Sequence, residues 1–130
     1  MDKNKLEALY EPFDVQTKPG RGNYKYVRSI DLIDRMNKVF GGEWSTQVME
    51  DKVVEDSVIV RVRVLLEDKV GYKYHEGYGS SAIQRYSSGS NQGQAIDLGS
   101  AYKAAEAMAI RNACSRWGVG LFLEEETGET

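Results

Sequence analysis

The chain has one cysteine, one histidine and two prolines. A lone Cys114 excludes an internal disulfide and a cysteine-rich zinc site, and it suits a reducing intracellular compartment. His75 has no second histidine to share a metal with, so it reads as a satisfied or solvent-facing strand residue. The longest apolar runs, such as Val64-Leu65-Leu66, fall far short of the roughly 18 residues of a membrane span. Residues 1–5 are polar and the apolar stretch 6–10 is too short for a secretory leader. The phosphate-cradling pattern G-x-x-x-x-G-K-[ST] is missing, and Gly77-x-Gly79 opens no helix with a third glycine. Neither an ATP loop nor a dinucleotide fingerprint is therefore present, and no cofactor is expected.

What is there fits one soluble domain. The 130 residues are 41% hydrophobic and 28% charged, ordinary values for a globular chain of this length. Such a chain buries about two thirds of its unfolded surface and carries its own core. The net charge is −3, but it is unevenly spread. Residues 1–17 and 119–130 are acidic, whereas 18–118 hold 15 bases against 12 acids. A mildly basic middle keeps a polyanionic partner open without establishing one.

Periodicity predicts an α+β fold. Residues 1–17 form an N-terminal segment with a short helical stretch at 6–10, and 18–23 read as a Pro/Gly loop. Over 26–40, Val27, Ile30, Ile33, Met36 (or Val39) and Phe40 recur at three- and four-residue steps, the mark of an amphipathic helix. Ser29 or Asp31 is its candidate cap, and Gly41-Gly42 ends it. Three strands follow, near 43–54, 58–66 and 72–78. In the second, Val58, Val60, Val62 and Val64 share one face and Ile59, Arg61, Arg63 and Leu65 the other. The stretch 79–94 is Ser/Gly/Gln-rich and reads as a long loop. Residues 95–117 form a helix rich in alanine, stopped by Gly118. The expected core is thus an antiparallel three-stranded β-meander packed on a long C-terminal helix, with a helix before it. The domain spans 18–123, and 124–130 form an acidic mobile tail.

Catalytic signals are few. Asp56 and Glu67-Asp68-Lys69 outline a metal-dependent nuclease, but they flank a strand whose ends lie about 30 Å apart. Basic residues beside aromatics carry more. Lys18, Arg21, Lys25 and Arg28 alternate with Tyr24 and Tyr26, a pattern suited to phosphates and stacked bases; a solvated loop with core-packed tyrosines is the equal alternative. Arg61 and Arg63 form either a phosphate track or the wet face of a half-buried sheet. Lys103 and Arg111 lie close to one helical face, and Arg111 and Arg116 sit where cations suit the helix dipole.

The order of several short motifs resembles a known family. Phe40-Gly41-Gly42-Glu43-Trp44 closes a helix and opens a strand. Val60-Arg61-Val62-Arg63-Val64 precedes Tyr74-His75-Glu76 and Gly77-Tyr78-Gly79. Lys103-Ala104-Ala105-Glu106-Ala107 leads through Arg111-Asn112-Ala113 to Arg116-Trp117-Gly118. From about residue 26 to 122 this order is similar to the annealing domain of the Rad52 recombination mediators and their phage and bacterial relatives. The resemblance implies an ATP-independent, non-enzymatic protein of DNA repair and recombination. It would bind single-stranded DNA, pair complementary strands and assemble side by side into homo-oligomeric rings, inside the cell and, in a bacterial or phage setting, in the cytoplasm or nucleoid. It places Arg111 and Asn112 on the family's paired groove positions, where Asn112 departs from the expected base, and Lys18 or Arg21 on the loop cation. Annealing needs phosphates held and base edges free, which scattered cations provide. A double-stranded RNA-binding module and an oligomeric scaffold are the competing classes.

Overall fold

The computed structural model describes residues 2–13, 18–19, 25–68 and 71–120, with the backbone alone at 18–19, 25–26 and 68. Eight elements follow in order: α1 (Lys3–Tyr10), β1 (Lys18–Pro19), β2 (Lys25–Tyr26), α2 (Ser29–Phe40), β3 (Trp44–Val54), β4 (Ser57–Asp68), β5 (Gly71–Ala82) and α3 (Leu98–Ser115). β1 and β2 form a two-stranded antiparallel ribbon, and β3-β4-β5 an antiparallel meander. This is the expected α+β architecture.

β4 is central because its sequence alternates cleanly. Val58, Val60, Val62, Val64 and Leu66 are buried on one face, each worth roughly 1.5–3 kcal/mol of transfer free energy. α3 covers that face with Ala101, Ala105, Ala109 and Ala113, a four-residue repeat that makes one smooth helical stripe. β5 meets it with glycines. A Cβ on Gly77 or Gly79 would run into the α3 backbone at Ala109, Ala113 and Ala105. Helix and strand therefore touch main chain to main chain.

The boundaries differ from the sequence reading in instructive ways. α2 buries Leu32, Met36 and Phe40 together with Val27 before it, while Ile30 and Ile33 are exposed, Ile30 at 68%. Val27, Met36 and Phe40 of the expected face are buried, and Leu32 takes the inward place expected of Ile30 and Ile33. Neither Ser29 nor Asp31 caps α2: the N-cap is Arg28, without a side-chain cap bond, and Asp31 accepts from the Arg28 Nε at 2.8 Å instead. α3 begins at Leu98 because the Asp97 side chain accepts from the Ser100 N–H. Before it, Arg85 and Ala95 form a β-bridge, and Tyr86 and Ile96 donate to the Gln94 and Gln84 carbonyls. The polar stretch is thus a closed hairpin, and β5 extends into it as far as Ala82.

The N-terminal helix belongs to the same core. Leu9 is fully buried, and the Tyr10 ring lies over Gly118, whose φ of +104° suits glycine. Arg35 on α2 donates to the Ala8, Glu11 and Pro12 carbonyls at 3.2, 2.7 and 3.3 Å, and stacks 4.0 Å from the Phe13 ring. One guanidinium therefore satisfies the open C-terminal end of α1. On the other side of α2, Asn37 accepts from the Trp44 indole at 2.7 Å, tying the helix to the start of β3.

Candidate nucleic-acid interface

The candidate cations separate into three places. Lys18, Lys25 and Tyr26 lie on the β1–β2 ribbon, paired Lys18 with Tyr26 and Pro19 with Lys25. Arg21 and the acidic tail lie outside the described residues. Arg28 stands at the foot of α2 in an ion pair with Asp31.

Arg61 and Arg63 lie on the sheet face away from α3, and both reach one carboxylate. Glu76 is opposite Arg63 and diagonal to Arg61 in the β4–β5 register. It accepts from Arg61 Nη1 at 2.6 Å and from Arg63 Nε at 2.9 Å. Glu50 of β3 approaches Arg61 at 3.9 Å, and the Arg63 guanidinium stacks 4.1 Å from the Tyr74 ring. The Arg61 hydrogen bond, then that of Arg63, holds the Glu76 carboxyl below the usual carboxylate range. The same bond raises the Arg61 guanidinium. Two cations that read as a phosphate track are thus committed to a cross-strand cluster. Around it, Tyr72, Tyr74 and Tyr78 stand exposed on the outer face of β5.

The third group is on α3. Lys103 is exposed and Arg111 half-buried; Asn112 and, just past the helix, Arg116 are exposed. Asn112 donates from Nδ2 to the Tyr78 carbonyl at 2.7 Å. Arg116 stands near His75, whose ring packs edge-on to Trp117 with centroids 4.6 Å apart. Burial first, then the Arg116 charge, lowers the His75 pKa, so His75 is a packed neutral residue. Arg111, Asn112 and Arg116 therefore gather at one end of α3. Lys103 lies two turns back. At the far end an open cleft of about 360 Å³ is lined by Gln84, Ile96, Asp97 and Ser100 among others.

Of the nuclease outline, Lys69 lies outside the described residues, and the described acids do not come together. Asp56 and Glu67 stand at opposite ends of β4: Asp56 pairs with Arg85 at 3.4 Å, and Glu67 shares a hydrogen bond with Glu43 that raises its pKa. Among the described residues no group of three or more His, Cys, Asp or Glu comes together. Cys114 is buried, and burial pushes its thiol up to about 12, which leaves no thiolate for chemistry near neutral pH. Among the described residues no helix is long and apolar enough to cross a membrane.

Sequence reasoning missed Glu76, Arg35 and the tie from Asn112 to Tyr78. The acid–base alternation of β4 and β5 was the available signal for Glu76. Arg35 and the Asn112 tie left none.

The fold and these positions define a β-β-β-α domain with a cation-bearing helix end. The chain belongs to the Rad52/22 family of double-strand break repair proteins, whose family model matches residues 2–130. It is also similar to the DNA repair RAD52-like protein 1, mitochondrial, of Arabidopsis thaliana, with 35% identity over 98 residues. That match covers 73% of this chain and 49% of the relative, so the chain spans about half the length of the curated protein it matches.

Proposed function

We propose that this protein binds single-stranded DNA and anneals complementary strands without ATP, as a homo-oligomeric ring, in recombination and repair. The family match over residues 2–130 carries the reading. The geometry supports it through the C-terminal end of α3, where Arg111 stands on, and Arg116 just past, a helix that is pressed flush onto the sheet. Cations on a stiff support hold phosphates while leaving base edges free to pair. Lys103, Arg28, the ribbon residues Lys18, Lys25 and Tyr26, and Arg21 between the ribbon strands in sequence extend the proposed path. Arg61 and Arg63 act first within the sheet, through Glu76.

Assembly is supported by β3. Its outer edge is unpaired in the meander, and Val48, Met49 and Val53 are exposed beside it. Open strand edges of this kind pair with other chains, and head-to-tail contacts close into rings or run on as filaments.

The test is an electrophoretic shift with single-stranded DNA, duplex DNA and duplex RNA, run beside an ATP-free annealing assay and light scattering. Preference for single strands, faster annealing and a mass above 14.6 kDa are expected. Preference for duplex RNA would favour an RNA-binding module. No shift with any of the three would favour a scaffold.

A further inference from the structure

Among the described residues the sheet has two outer edges, β3 and β5, and the structure treats them differently. In an antiparallel ladder, hydrogen-bonded pairs alternate with pairs whose N–H and C=O groups point away from the partner strand. Ile83 N–H donates to the Asp56 carbonyl at 2.7 Å, which fixes the phase of that alternation. Counting back along the register, Val58 with Ser81, Val60 with Gly79 and Val62 with Gly77 are the hydrogen-bonded pairs, and Arg61 with Tyr78 falls between them. The Tyr78 carbonyl therefore points out of the open edge of β5. Asn112 reaches over from α3 and takes it, Nδ2 to O, at 2.7 Å. The donor is unambiguous, because a carbonyl can only accept.

We propose that Asn112 is an edge guard: by occupying the Tyr78 carbonyl it closes β5 to strand addition, so that copies of this chain associate through other surfaces. Tyr78 is well inside the twelve-residue strand Gly71–Ala82, so a strand added along β5 would meet the Asn112 side chain partway along its length. An incoming chain would have to displace that bond and lift the side chain. Natural sheets blunt their edges by such local devices because a bare edge templates further pairing. The register of α3 makes the reach possible. The glycines of β5 bring the helix backbone so close to the strand that a side chain as short as asparagine spans the gap. This rests on the reading that copies associate. It assigns Asn112 a role in assembly, in place of the phosphate contact implied by its position in the helix pair.

The experiment compares wild type with Asn112→Ala, Asn112→Gln and Asn112→Arg in the full chain. Alanine continues the small-residue helix and is its best former, so the fold is retained, and circular dichroism checks it. Mass is followed by light scattering across a concentration series, and affinity by fluorescence anisotropy with a labelled oligothymidylate. The expected result is that Asn112→Ala grows with concentration to a mean mass roughly twofold or more above wild type. Asn112→Gln, which keeps a donor, stays at the wild-type mass. The alanine variant's affinity per chain stays within roughly twofold of wild type. Asn112→Arg, which also keeps donors, stays at the wild-type mass while binding the oligonucleotide more tightly. An Asn112→Ala protein that is folded, keeps the wild-type mass and loses affinity would overturn the proposal and make Asn112 a DNA contact. A wild-type monomer that associates only as the alanine variant would sink the ring reading and leave this one standing.

Discussion

Gly79 of β5 lies directly under the Ala105 carbonyl of α3, with no room between them for a single methyl group. The contact is backbone on backbone, so a neighbouring side chain cannot swing aside to make space. Gly79→Ala is therefore expected to cost about 3 kcal/mol, the upper range for overpacking a close-packed interior. Gly42→Ala is the control, because nothing lies within 4 Å of an added Cβ there. Urea denaturation of both variants checks this. A loss at Gly79 no larger than at Gly42 would mean that the helix slides freely on the sheet.

Arg111 is the cation whose loss should be felt first by DNA. Arg111→Ala is expected to weaken single-strand binding by about 1–2 kcal/mol, the worth of one charge-assisted phosphate contact. The log–log salt slope should fall by about 0.7, one phosphate fewer neutralised. Melting temperature and mass should hold. If they fall before affinity does, Arg111 braces the fold or a neighbouring subunit.

Glu76 is expected to matter for stability and not for DNA. Its folded pKa lies below its unfolded one because Arg61 and Arg63 hold the charged form. That stabilisation is present above the ordinary glutamate pKa of about 4.3 and is lost as pH falls through the folded value. Glu76→Gln should melt below wild type at pH 7, and the gap should close as the pH approaches 3. Strand affinity should stay unchanged. A rise of about tenfold would put the released Arg61 and Arg63 on the DNA path.

Glu67 has the opposite sign. Its hydrogen bond with Glu43 raises its folded pKa, so its contribution is present below the ordinary carboxylate pKa and is lost as pH rises through the folded value. Glu67→Gln should therefore melt above wild type at pH 7 and match it in acid. Thermal melts over that range decide; a neutral-pH loss would mean that the charged pair is not strained.

The meander was legible because β4 alternates from Val60 to Val64, with Ile59 the one apolar residue on the Arg61–Arg63 face, and because Gly41-Gly42 and acidic turns mark strand ends. The phase of α2 was not. Ile30, Leu32, Ile33, Met36, Val39 and Phe40 support two overlapping stripes, and only the packing of Leu9 and the sheet decides that Leu32 points in and Ile30 out. Gly77-x-Gly79 and the alanine-rich helix were both visible, but their contact depends on a crossing that no local pattern encodes. Arg61 and Arg63 were found as a pair on one face, while their partner stands 15 and 13 residues further on. Register, a property of two strands together, brings it there. The positions on α3 came from the family resemblance. What Asn112 touches could come only from the structure.

The alternation that turns the Tyr78 carbonyl outward also divides the amides of β5 into two populations. Those of His75, Gly77 and Gly79 face the β4 ladder, as does that of Ile83 beyond them, which donates to Asp56. Those of Tyr74, Glu76 and Tyr78 face the open side. Hydrogen–deuterium exchange along this one strand should then run slow, fast, slow, fast at every second residue, because edge amides exchange without the ladder opening. The outward-facing amides would slow on assembly only if a neighbouring chain covered them. A single isotope-labelled spectrum, taken with and without dilution, thus reads out which side of the sheet stays wet.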